Sequence, residues 1–442
     1  MKKLITLFLV LTGIVCSASA TDYYVGANTV NDGAGWAIQG QMTDADGDGT
    51  YSLIIQVPAR VYVDGTDAND KLRMFYFTVF SSSTIDWNYA YRPTGGEKWI
   101  NNTVSEIAMD ENPSSSGGTI GYGSAYGDDT NKNFASALKI EYTPEENKVK
   151  ATRLIAVASA KNSFSTTTDY LTETSHGSQQ YSGKVELTTG GFKFFLRQWG
   201  WDYWGRKADS QSDGIWYIVN TDGDNVAVAS DGVYNLTADL TNFHWTDPVR
   251  VTATISTGTY GKATFCSNYD LDFTGITDVQ AYTITGAAAN GVLTTAQQTG
   301  KVPAGTGLYI EGTSANVPTT LSASSVGTNM LVAGTGAKVS QIDGTKTNFV
   351  LTTNKGMSAT PKFYKVNSEG NTVVVGKAYL QIPTASVGAR EFFWFDDEET
   401  TTGLDKVADN KQVAEYYNLS GQRVAQPVKG LYIVNGKKVI IK

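Results

Sequence analysis

The chain has 442 residues, of which 18% are charged, with 43 Asp and Glu against 35 Lys and Arg for a formal net charge of −8. An acidic chain with no Lys/Arg cluster away from its two ends repels a polyanion on average, which argues against nucleic acid as a partner. Two cysteines, Cys16 and Cys266, and two histidines, His176 and His244, leave few places for a disulfide, a zinc site or a histidine-based triad.

Lys2 and Lys3, the apolar run from Leu4 to Val15 and the small residues Ala18-Ser19-Ala20 have the three-part layout of a secretory signal peptide over residues 1–20, placing the mature start near Thr21. Lipidation of Cys16 is not expected, because Val15 stands where that pattern wants a small residue. Beyond residue 20 no apolar run approaches the roughly 18 residues of a membrane helix. Cys266, in a β run, reads as a buried small residue. No intramolecular disulfide is then expected, and stability must come from burial.

At roughly 100 to 200 residues per domain the length predicts several domains. Short alternating runs bounded by Gly, Asn, Asp and Ser recur, at Tyr51 to Val57, Met74 to Phe80, Lys184 to Leu187, Phe192 to Leu196 and Lys362 to Val366, with no convincing helical period. The predicted class is all-β: tandem β-sandwich domains with a short C-terminal β module. Residues 21–153 and 154–248 share landmarks in one order. Tyr24-Val25-Gly26-Ala27 answers Ala156-Val157-Ala158-Ser159, Tyr51-Ser52 answers Tyr181-Ser182, and Phe75-Tyr76-Phe77 answers Phe192-Lys193-Phe194. Trp87-x-Tyr89-x-x-Arg92 recurs as Trp201-x-Tyr203-x-x-Arg206 with identical internal spacing.

Residues 249–395 turn to Ala/Thr/Gly-rich β runs and predict a third domain of another type. The charged stretch 396–402 predicts a linker, and residues 403–442 a terminal module in which Asn435-Gly436 signals a tight hairpin.

Aromatic faces stack on the C–H faces of sugars while cations bond their hydroxyls, so Trp199, Trp201, Trp204 and Arg206 with Lys193 form a candidate carbohydrate site, and Trp87, Tyr89 and Arg92 a weaker counterpart. Buried Trp and Tyr also fill sandwich cores, and for Trp87 and Trp201 the two readings stand level. Trp199, Trp204 and the cations are expected at the surface, Lys193 because alternation sets it opposite Phe192 and Phe194. Asp44, Asp46 and Asp48 match the front of a calcium loop, but its twelfth position is Ile55, and an Asp/Gly-rich turn is the preferred reading. No cofactor is expected. A glycosidase needs only two carboxylates, and Asp86 and Asp202 each adjoin a repeat tryptophan, but no catalytic motif appears and no enzyme is expected.

The closing sequence Lys429-Gly430-Leu431-Tyr432-Ile433-Val434 through Val439-Ile440-Ile441-Lys442 closely resembles the C-terminal sorting domain of type IX secretion. That resemblance implies contact with the secretion machinery and passage through the outer membrane, to the cell surface or the medium. The duplicated region, with its Tyr-Val-Gly opening, Phe-Lys-Phe strand and Trp-rich loop, resembles the tandem modules of SusE/SusF-type outer-membrane starch-binding proteins, more clearly in the second copy, since Tyr76 replaces the lysine in the first. This implies non-catalytic binding of an oligo- or polysaccharide, a starch-like glucan first. Residues 249–395 resemble a domain often found before such sorting modules. The competing reading is a structural or adhesive surface protein whose repeats are spacers.

Overall fold

The computed structural model of the chain describes residues 21–28, 35–57, 74–123, 135–198, 201–205, 218–219, 225–242, 244–353, 360–395, 416–418, 422–424, 428–434 and 437–441. It is almost wholly β, with several sheets and, among the described residues, one four-residue α-helix at Thr384–Val387. No helix among the described residues is long and apolar enough to cross a membrane.

The first unit is built from β1 (Tyr24–Asn28), β2 (Trp36–Gln41), β3 (Tyr51–Gln56), β4 (Met74–Phe80), β5 (Ala90–Tyr91), β6 (Lys98–Ile100), β7 (Glu106–Ala108), β8 (Ile120–Gly123), β9 (Ala137–Thr143) and β10 (Lys148–Ser159). Strands β2-β1-β4-β8-β6 form one sheet in that order, with β5 added beside β4. The facing layer is β3, β9, the first half of β10, and β7. Alternation decides which residues meet between the layers: Val25 and Ala27 of β1, Phe77 and Val79 of β4, Ile120 and Tyr122 of β8 pack on Leu138, Ile140 and Tyr142 of β9 and Val149 of β10. Tyr23, Tyr51, Tyr91 and Tyr142 meet edge to face or tilted inside this core. Burial, then the neighbouring Tyr91 and Tyr23, pushes the Tyr142 phenol well above its ordinary range.

β10 does not stop at the expected boundary between residues 153 and 154. Its first half pairs with β9, and its second with β11 (Tyr170–Glu173) and β13 (Phe192–Gln198). The second unit continues with β12 (Gln180–Leu187), β14 (Trp201–Gly205), β15 (Ile218–Val219), β16 (Gly232–Asp239) and β17 (His244–Trp245). All belong to one twelve-stranded sheet whose central order is β15-β14-β13-β10-β11-β12-β16-β17. Its core joins Ile155 and Val157 to Tyr181, Val185, Phe192, Phe194 and Leu236.

The odd-numbered residues of β10 face inward in both units, through Val149, Ala151, Ile155 and Val157. Arg153 is the odd-numbered residue at the divide. It is 0% exposed and ion-paired to Glu173 at 3.2 Å. Gly177, at φ +77°, seats the β11–β12 loop on the first unit, with room for no side chain: a Cβ there would lie 2.1 Å from the Asn102 carbonyl oxygen.

β18 (Val249–Arg250) adds to β16 and leads into residues 251–395. These build two further cores, one around Ile255, Leu271, Leu308 and Val317, the other around Tyr309, Phe349, Phe363 and Phe393. Thr319 ties them back, its Oγ1 accepting from Val233 N–H at 3.0 Å and donating to the Val233 carbonyl at 3.2 Å. At the C-terminus Tyr416–Tyr417, Arg423–Val424, Gly430–Val434 and Lys437–Ile441 form a four-stranded sheet. Val434 pairs with Lys437, and the tight turn expected at Asn435-Gly436 lies outside the described residues. The signal-peptide and linker expectations, residues 1–20 and 396–402, also fall outside them.

The repeat's landmarks need one correction. Ala27 sits opposite Phe77, whereas Ser159 sits opposite Phe192. Matching the two opening strands therefore aligns Phe77-Thr78-Val79, not Phe75-Tyr76-Phe77, with Phe192-Lys193-Phe194. A two-residue slip keeps every side chain on its face, so alternation alone does not detect it.

Candidate aromatic binding face

The outer face of the first sheet carries a row that the strand registers set in line. Trp36 pairs with Asn28, Tyr76 N–H donates to Asn28 Oδ1 at 2.8 Å, Tyr76 pairs with Gly121, and Gly121 with Trp99. Trp36, Asn28, Tyr76, Gly121 and Trp99 thus cross five strands at one level, a span of about 19 Å at roughly 4.8 Å per strand. Gly121 lets the row close up: a Cβ there would lie 2.5 Å from the Trp99 ring, so the indole covers β8 and meets Tyr76 at 5.4 Å between ring centroids. Trp36, Tyr76 and Trp99 are each half-buried.

Beside this row the chain leaving β4 folds back over its own sheet. Gly26 makes room for it, since a Cβ there would lie 2.4 Å from the Phe80 ring and 2.9 Å from Ile85. Asp86 caps the 3₁₀ turn Trp87–Tyr89, accepting from Asn88 N–H at 3.0 Å, and so presents Trp87 edge-on to Trp36 at 4.8 Å. Tyr89 is 50% exposed. Arg92 lies with its guanidinium carbon 4.4 Å from the Trp87 ring centre, Nε donating to the Ser114 carbonyl at 3.1 Å and Nη1 to that of Gly118 at 3.2 Å.

Two expectations of exposure are overturned. Arg92 is only 4% exposed, because Trp87 and the 114–118 loop cover it. Lys193 does lie opposite Phe192 and Phe194, yet it is 5% exposed, with Nζ 5.6 Å from the Phe164 ring centre. A face turned away from one core is not thereby wet: here a neighbouring turn covers it, as Lys and Arg stems allow.

For the rest of the second cluster the backbone alone is described. Trp201 pairs with Gln198, Tyr203 with Leu196 and Trp204 with Phe195 in a β13–β14 hairpin, while Trp199 and Arg206 lie outside the described residues. The repeated Trp-x-Tyr spacing therefore sits on a strand in one copy and on a 3₁₀ turn in the other. Trp36 and Trp99 escaped the sequence reading because they belong to no repeated motif, and only the pairing registers align them.

A solved structure is similar. It is the crystal structure of SusF from Bacteroides thetaiotaomicron, at 12% identity over 67% of this chain and 72% of that one, with a TM-score of 0.21. No family model and no curated protein matches the chain.

Two other features bear on ligands. The Asp44, Asp46 and Asp48 carboxylates lie within 4.8 Å of one another, but Asp44 accepts from Gly47, Asp48 and Gly49 N–H as the organiser of a turn, and Ile55 is buried in the core. A cavity of about 660 Å³ opens among residues 251–395, lined by Thr257, Tyr260, Lys262, Thr264, Thr352 and Val373 among others.

Proposed function

We propose that the chain is a non-catalytic glycan-binding protein of the bacterial cell surface or medium, with the outer face of the first sheet as a binding site. The row Trp36, Tyr76, Trp99 carries the reading: half-buried aromatic residues in a line across five strands suit several successive sugars of one polymer, each offering a C–H face to a ring. A starch-like glucan is the first guess from the SusE/SusF resemblance. Trp199, Trp201, Trp204 and Arg206 remain a proposed second site, with Lys193 buried beneath a neighbouring turn, and Trp87, Tyr89 and Arg92 border the first. Two sites on one chain would raise avidity for a polymer through effective concentration. Export by the N-terminal signal and type IX sorting by residues 403–442 complete the proposal.

The continuous β10 gives the spacer reading its own support, since a shared strand makes a stiff connection. Affinity electrophoresis of residues 21–442 in gels containing starch, pullulan, xylan or mannan separates the two. Retardation lost in a folded Trp36→Ala/Trp99→Ala double variant supports the first-sheet site, and loss in Trp199→Ala/Trp201→Ala/Trp204→Ala supports the second. No retardation by any polymer favours the spacer.

A further inference from the structure

Among the described residues of the first 250, Arg92 and Arg153 are the buried arginines, and they are treated differently. Arg153, at the divide of β10, has Glu173 as counter-ion at 3.2 Å. Arg92 has none: among the described residues no Asp or Glu pairs with it, its Nε and Nη1 are held by neutral carbonyls, and Nη2 has no acceptor. A buried cation without an anion is costly, and the planar guanidinium fork matches a planar carboxylate. Burial pulls the Arg92 pKa below its ordinary value, and an arginine so placed still keeps its proton.

Its position matters as much as its charge. β5 lies beside β4 on the same side as β8, with Tyr91 opposite Val79 and facing the core. The next residue, Arg92, is therefore on the outer side, level with Thr78. That is two residues along β4 from Tyr76, or about 7 Å. Arg92 so lies against Trp87 of the Trp36–Trp87 pair, one step along the outer face of β4 from Tyr76 of the Tyr76–Trp99 pair. A sugar ring stacked on either pair would turn its edge, where the carboxylate of a uronic acid projects, toward the cation. The far end of the row is less suited to negative charge, because Glu97 stands near Tyr76 and, after burial, is the second cause of its raised pKa.

We infer that the first-sheet face takes a carboxylated glycan, a polymer of uronic acids, whose carboxylate supplies the counter-charge missing at Arg92. The inference rests on the glycan reading above and replaces the neutral glucan as its ligand. The chain's net charge of −8 works against general attraction of a polyanion, so retention of one points to a local site.

The test is affinity electrophoresis of residues 21–442 in gels of polygalacturonate, its methyl ester, pullulan and a sulfated galactan. The ester removes the charge from the ligand and leaves the protein untouched. The expected result is retardation by polygalacturonate with an apparent Kd about tenfold lower than for the ester, the scale of one charge-assisted hydrogen bond. Trp36→Ala/Trp99→Ala should abolish the retardation. A folded Arg92→Lys, which keeps the charge and loses the fork, should weaken polygalacturonate binding toward that of the ester. Equal retention by acid and ester, retention by pullulan or the sulfated polymer alone, or full retention by either variant would overturn the inference and leave glycan binding standing. No retardation by any polymer would overturn both.

Discussion

At the scale of single residues the face depends on absences as much as on rings. Gly121 is a strand residue whose missing Cβ is occupied by the Trp99 indole, and Gly26 does the same for Phe80 and Ile85. Gly121→Ala should push Trp99 off Tyr76 while leaving the inward-facing Ile120 and Tyr122 in the core. The expected outcome is weaker polymer retention and a changed tryptophan emission spectrum with little change in far-UV circular dichroism. An unchanged affinity would mean that Trp99 is packing rather than platform. The alternation of Phe77 and Val79 was legible in the sequence. The partnership of Trp36 with Trp99, separated by some sixty residues and by three other strands, was not, since it exists only in the register.

At the scale of elements β10 is the decisive feature. Nothing in Lys148–Ser159 distinguishes one twelve-residue strand from two shorter ones, and the repeat itself encourages a break at residue 153. The strand runs on because its odd-numbered residues serve both cores, with Arg153 bridging them to Glu173. The β11–β12 loop lies against residues 101–104 of the first unit and carries His176, which burial and then the Arg153 charge hold below its ordinary pKa. Because the folded form resists the proton, this stability is complete above the unfolded value of about 6.5 and declines as pH falls below it toward the folded value. The melting temperature should therefore fall between pH 7 and pH 5, less steeply in His176→Gln. Parallel pH profiles for the two proteins would show that this histidine carries no such linkage.

At the scale of the whole molecule the first two units share a strand and are expected to unfold as one block, whereas residues 251–395 have their own two cores. Phe77→Ala in the first core and Phe194→Ala in the second each remove a fully buried ring, worth about 3–5 kcal/mol. Calorimetry of the full chain should show both lowering the same transition, and Phe349→Ala lowering another. Separate shifts for Phe77→Ala and Phe194→Ala would show that the units unfold independently despite β10.

The sequence by itself determined the all-β class, the alternation that fills the cores and the strand runs from which the units are built, because the two-residue period of a strand is a local property. It also marked the Trp-x-Tyr-x-x-Arg spacing, but not that one copy would lie on a 3₁₀ turn and the other on a strand. Tertiary structure decided what locality does not encode. The registers brought Trp36, Tyr76 and Trp99 into one row, a returning loop buried Arg92, a neighbouring turn buried Lys193, and a core-facing residue at the divide carried β10 through a boundary the repeat had marked. Each depends on which distant backbone occupies the neighbouring space, and that is settled only when the layers pack.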